Sequence, residues 1–156
     1  MDTQLDSTKW SIVLSDETHY ECDIKFVHQF KTFSNMIDDL GDDDKKLPLT
    51  LDYANSQHFD ILQEFYISLG QISFVLVNEN KYNFSEYQDK CDKFVNQYLH
   101  TENKELNIEL VKQLIALCNF LDYKIAYNFF CWQIALVIED YTPEQIAKLF
   151  GLTKTE

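Results

Sequence analysis

His19 and Cys22 stand three residues apart, a spacing from which a zinc site can be built. A closed zinc site needs a second pair of ligands, and no partner pair is visible. Both residues therefore read as parts of a hairpin. Asp38, Asp39, Asp42, Asp43 and Asp44 bring together enough carboxylate to raise calcium. Their run lacks the alternating oxygens, central Gly and closing Glu of an EF-hand loop, so it reads as a solvated acidic loop. His28, His58 and His100 have no Ser or Cys beside them to form an activated nucleophile. Glycine occurs only at 41, 70 and 151, which excludes a glycine-rich phosphate loop. The expectation is a protein with no catalytic residue, no cofactor and no metal, acting through surfaces.

Composition narrows the partners. The formal net charge is -13, and every basic residue is a Lys. A nucleic-acid binder normally carries a basic patch and uses Arg forks on phosphates and bases, so nucleic acid is not expected as a partner. The longest apolar tract, residues 129–138, is interrupted by Gln133 and is too short to span a bilayer. The opening MDTQLDSTKW lacks a basic region followed by an apolar run, so no signal peptide is expected. Cys22, Cys91, Cys118 and Cys131 form no close pairs, and reduced thiols fit a cytoplasmic or nuclear protein.

A chain of 156 residues, 46% hydrophobic, suits one domain with a real core and a short helical appendage. Trp10, Ile12 and Leu14 alternate with polar residues as on a half-buried strand. Ser15 to Thr18 reads as a turn, and Tyr20 and Cys22 as the returning strand. Asp23 can cap a short helix reaching Phe30. A second short helix is predicted from Phe33 to Leu40, stopped by Gly41, and Leu47, Leu49 and Leu51 form a third strand. A helix from Asn55 or Ser56 to Leu69 places Phe59, Leu62, Phe65, Tyr66 and Leu69 on one stripe.

Residues 71–90 are less readable. ISFVLV reads as a strand or edge ribbon, NENKYNFSEYQDK as a loop, and Phe94, Val95 and Tyr98 as a short helix. Val111, Leu114, Ile115, Cys118 and Leu121 then define a stronger helix. Asp122 can cap the next, which is apolar on most sides from Ile125 to Ile138 and should lie buried between neighbours. The aromatics of residues 120–132 read as core, except that Trp132 falls near the helix's polar edge and could anchor a partner. Thr142, Pro143 and Gln145 supply a capping box for a last, two-turn helix, too short to stand alone. The order of elements gives an α+β fold, a small three-stranded sheet covered by helices and followed by short C-terminal helices, and argues against a doubly wound sheet.

Five segments in register carry a family resemblance: IVLSDETHYECDI, KTFSNMIDDLGDDD, LPLTLDYANSQHFDILQEF, ALCNFLDYK and IEDYTPEQIAKLFGL. In this order they resemble the S-phase kinase-associated adaptor (Skp) family, linker subunits of SCF ubiquitin ligases related to elongin C and the BTB/POZ fold. The likeness covers about residues 10–70 and 88–152. It implies an N-terminal tail over 1–9, a BTB/POZ-like domain over 10–128 and a C-terminal helical F-box-binding extension over 129–156.

The family implies two binding faces. A cullin's N-terminal domain would meet the segment from Thr32 to Asp44, with Met36, Asp39 and Asp42, together with Asn119 and Phe120. An F-box protein would be held by Trp132, Ile134, Ile138, Thr142, Pro143, Ile146 and Phe150. The implied function is a non-enzymatic adaptor of the ubiquitin conjugation pathway, bridging cullin and F-box receptor. The alternative is a divergent viral or parasite module that binds one of the two without bridging them.

Three departures qualify the likeness. ISFVLV replaces a Pro-rich acidic loop, Thr50 replaces a proline, and the sequence ends at Glu156 where the family continues into a further helix bearing a tryptophan. The last departure implies a shortened F-box clamp and weaker receptor binding, with cullin binding less affected.

Overall fold

A computed structural model of the chain describes residues 9–33, 49–51, 54–78 and 81–149. Strand β1, Lys9–Leu14, alternates as its sequence predicts, with Trp10, Ile12 and Leu14 buried. It turns through Asp16, whose Oδ1 accepts the Thr18 amide at 3.2 Å, and Glu17, which takes a left-handed φ of 65°. Strand β2, His19–Asp23, returns antiparallel with Trp10 opposite Cys22. Strand β3, Leu49–Leu51, lies on the other side of β1 and runs parallel to it, so the sheet order is β2-β1-β3. Leu47 lies outside the described residues.

Helix α1, Ile24–Val27, is capped by Asp23, whose Oδ1 accepts the Lys25 amide at 2.8 Å. It is shorter than the sequence predicts: His28 ends it, and residues 29 and 30 continue as turns. A further helical turn opens at residues 31–33, and the rest of the helix predicted to Leu40 lies outside the described residues. Helix α2, Ser56–Phe65, is capped by Asn55 and continues through a wider π-helical turn, Tyr66–Gly70. The Asp16 carboxylate also accepts the Ser56 amide, at 2.9 Å. One side chain thus closes the β1–β2 turn and holds the N-terminus of α2 against it.

Two predictions fail in this half of the chain. The segment after ISFVLV is structured: β4, Leu76–Asn78, pairs antiparallel with β5, Lys81–Tyr82, and a 3-10 turn, Phe84–Tyr87, leads into α3, Gln88–Tyr98. Loop-like polar letters hide Phe84, which is buried between Phe74 and Phe129. Asp122 also does not cap the helix that follows it. It ends α4, Ile108–Leu121, in the left-handed region at φ 55°. The Tyr123 amide reaches the Cys118 carbonyl at 3.0 Å and the Asp122 amide that of Asn119 at 3.3 Å. This is the Schellman closure, built here on an Asp, which visits the left-handed region more readily than most residues.

Helix α5, Lys124–Ile138, follows at once, and α6, Pro143–Leu149, comes last. The capping box predicted for α6 is in place: the Gln145 amide donates to Thr142 Oγ1 at 3.2 Å, and Gln145 Oε1 accepts the Thr142 amide at 2.8 Å. The core is aromatic from end to end. Phe30 meets Tyr123 at 5.5 Å between ring centroids, Tyr123 meets Phe65 at 5.9 Å, Phe65 meets Phe129 at 5.2 Å, and Phe129 meets Phe84 at 5.3 Å. Such edge and tilted contacts contribute about 0.5–1.5 kcal/mol each beyond the area they bury. The expected boundary at 128/129 falls inside α5, whose Phe129 and Phe130 share this core.

Candidate protein-binding surfaces

Among the described residues, the titratable groups do not converge on a reacting centre. Cys22 is buried and His19 exposed, since residues three apart on β2 point to opposite faces. Among the described residues, no group of three His, Cys, Asp or Glu could hold a metal ion. His58 is buried, and its Nε2 lies 2.8 Å from Gln113 Oε1, so it donates there to an amide oxygen. Burial pushes the Cys91 thiol up to about 11 and raises Cys118 and Cys131 as well. These thiols are held in the form least able to attack. No helix among the described residues is long and apolar enough to cross a membrane.

What the fold does build is surface. The first patch lies at the C-terminal end of α4, where Asn119 and Phe120 are exposed, Phe120 to 44%. They are exposed because the apolar stripe of α4 turns Leu114, Leu117, Cys118 and Leu121 inward. Thr32 Oγ1 donates to the Phe120 carbonyl at 2.9 Å, across a separation of 88 residues. That bond joins the start of the Thr32–Asp44 segment to Asn119 and Phe120. Met36, Asp39 and Asp42 lie outside the described residues.

The residues that the resemblance assigns to an F-box protein lie on α5, on α6 and just before α6. Trp132 is half-buried, stacked on Phe84 at 5.4 Å with 23° between the rings, so it serves the core with one face and keeps an edge in solvent. Ile134 is 6% exposed and packs in the core, behind the surface where the resemblance would have it. Ile138 and Ile146 are half-buried, and Thr142 and Pro143 are exposed. Helix α6 has no buried residue among those described. Phe150 lies outside them. Leu136 and Tyr141, exposed to 44% and 38%, were not singled out by the sequence, although Leu136 sits two residues from Ile138 on a helix apolar nearly all round.

A third surface follows the β4–β5 ribbon. Val75, Leu76 and Val77 are 61%, 53% and 69% exposed, and Leu76 and Tyr82 form one wall of a cleft of about 400 Å³ whose other wall carries Asn119, Asp122 and Lys124.

Against known families, residues 10–53 match the Skp1 family, tetramerisation domain. Over these residues the chain is similar to a Skp1-family domain. No curated protein matches the chain. The Skp1-family segment includes the β1–β2 hairpin, α1, Thr32 and β3, and the α+β architecture around it is BTB/POZ-like.

Proposed function

We propose that the protein is a non-enzymatic adaptor that binds a cullin's N-terminal domain and an F-box receptor and so positions a substrate for ubiquitin transfer. The observation that carries this reading is the Thr32–Phe120 hydrogen bond. It links the Skp1-family segment to the exposed end of α4, which lies outside that segment, and makes one composite surface where the family resemblance puts cullin binding. Bridging replaces a bimolecular encounter between receptor-bound substrate and ligase by a held geometry, which is how a protein without catalytic groups accelerates transfer. The reading takes the protein to the cytoplasm or nucleus, where that machinery operates.

The test is capture of the purified protein by separate cullin N-terminal and F-box baits, followed by a three-way assembly. Binding to both at once supports the bridge. Failure on both baits rejects it.

One observation favours a second reading, a one-sided module that engages a cullin without bridging. Ile134 is spent on the chain's own core, and no described residue of α6 is buried. The F-box face is therefore less well furnished than the cullin face. Capture by the cullin bait alone would establish this second reading.

A further inference from the structure

We infer that the cleft between the β4–β5 ribbon and the α4–α5 corner is a specificity extension of the cullin-binding surface, receiving an apolar side chain of the same scaffold subunit; this rests on the adaptor reading. The segment from Phe65 to Asn78 has no charged residue, in a chain whose residues are 25% charged. It ends in Val75, Leu76 and Val77, all more than half exposed. Leu76 lines the cleft, and Phe74 two residues before it packs on Phe84 at 4.9 Å. Val75 and Val77, exposed on either side of it, form an apolar lip.

The ribbon is held for this purpose. The Val75 amide donates to Asn83 Oδ1 at 2.7 Å and the Val75 carbonyl accepts the Asn83 amide at 2.9 Å, which fixes the first residue of the lip. Phe74 anchors it from below through Phe84 and Tyr87. A contiguous exposed apolar patch of this kind is often functional.

Size and charge select the occupant. The three side chains offer on the order of 300 Å², well short of the roughly 800 Å² per partner in a standard interface. A second copy meeting only this ribbon would be weakly held, and each copy carries a net charge of -13, which opposes their approach. The patch makes sense as part of a larger contact. Its neighbour across the cleft is Asn119, and Asn119 adjoins Phe120 and, through it, Thr32. One surface therefore runs from Thr32 over the end of α4 and across the cleft to Leu76. The complementary partner presents an apolar side chain to Leu76 and Tyr82, a hydrogen-bonding group to Asn119, and a net positive field to the acidic adaptor.

The experiment measures binding of the cullin N-terminal domain and of an F-box peptide to the wild type, to Leu76→Asp and to Asn119→Lys, with light scattering on each protein alone. Leu76 is half exposed, so the charge does not enter the core; circular dichroism and melting verify the fold, and Leu76→Ser serves should Leu76→Asp fail to fold. The expected result is at least a tenfold loss of cullin affinity in the Leu76 variant with F-box binding unchanged. Cullin affinity lost in Asn119→Lys but unaltered in the Leu76 variant overturns the extension and leaves the adaptor reading standing. No cullin binding by the wild type overturns both. A dimer of the wild type that the Leu76 variant abolishes, with cullin binding unaltered, assigns the ribbon to a second copy and overturns the extension.

Discussion

The Tyr123 hydroxyl stands 2.8 Å from the point where a Cβ on Gly70 would project. Gly70 ends the π-helical turn after α2, and Tyr123 opens α5, so the missing side chain is what lets the two elements close on each other. The hydroxyl itself is buried without a hydrogen-bond partner, and burial raises its pKa far above the ordinary phenol value. Gly70→Ala should lower stability by about 1–3 kcal/mol, the usual range for overpacking a tight site. Tyr123→Phe removes an unsatisfied polar atom and should be neutral or stabilising by about 1 kcal/mol. Urea denaturation of both single variants and the double variant checks the pair: most of the Gly70→Ala loss should vanish in the Tyr123→Phe background. If the loss stays whole, the contact is not its cause.

Asp16 gives the fold a pH dependence at the acid end. Its carboxylate accepts the Thr18 and Ser56 amides, and hydrogen bonds from the Thr18 hydroxyl first and the Ser56 amide next hold its pKa well below the ordinary 3.8. A depressed folded pKa means that the unfolded chain takes the proton first as pH falls. The stabilisation is therefore complete above the ordinary carboxylate range, erodes through and below 3.8, and is gone once the folded carboxylate titrates. Asp16→Asn should melt earlier than the wild type at pH 7, and the gap should narrow toward pH 2.5. A gap that stays constant over that interval would show that the charge is not what matters.

Much of this frame was legible because local chemistry and tertiary packing agree. Asp23 and Asn55 cap the helices they precede, and Thr142 with Gln145 forms the predicted box. The alternation of Trp10, Ile12 and Leu14 marks the inner face of β1 because a strand's side-chain period is two. Asp122 misled because an Asp beside a helix start and an Asp in a left-handed C-terminal position look alike in sequence; only the Cys118 and Asn119 carbonyls distinguish them. The parallel pairing of β3 with β1 depends on a crossover that no local pattern reports. At the candidate surfaces, Phe120 is exposed although the aromatics of residues 120–132 read as core: the buried stripe of α4, with Leu114, Leu117, Cys118 and Leu121, leaves it on the outer side. Helix α5 has no such stripe, being apolar nearly all round, so nothing in its periodicity told Ile134, which is buried, from Leu136, which is not.

The proposed cullin face predicts a separation of binding from folding. Phe120 is 44% exposed and Asn119 is exposed, so Asn119→Lys with Phe120→Ala should remove contact area and add a bulky charge without opening the core. Cullin affinity should fall at least tenfold, a change of about 1.4 kcal/mol, while the helical circular dichroism signal stays that of the wild type. Lost helicity in this variant would place both residues in the structural framework instead of at a contact.

The F-box face is best probed at Ile146. Helix α6 has about two turns, too few for independent stability. Its capping box satisfies the Thr142 and Gln145 amides, yet none of its described side chains is buried. Ile146 is half-buried, and the family resemblance groups it with the half-buried Ile138 and Trp132 as one apolar strip. An F-box helix laid into this strip would cover what the chain leaves open, in the helix-in-groove mode. Covering ~400 Å² of apolar surface is worth roughly 10 kcal/mol before association costs, which take much of it. Ile146→Asp puts a charge where that surface must dehydrate, so F-box capture should be lost. Cullin binding should persist, because Asn119, Phe120 and Thr32 are untouched. The melting temperature should fall by only a few degrees, since the wild-type side chain is incompletely covered to begin with. A large fall in melting temperature would instead assign α6 to the chain's own core and would favour the one-sided module over the bridge.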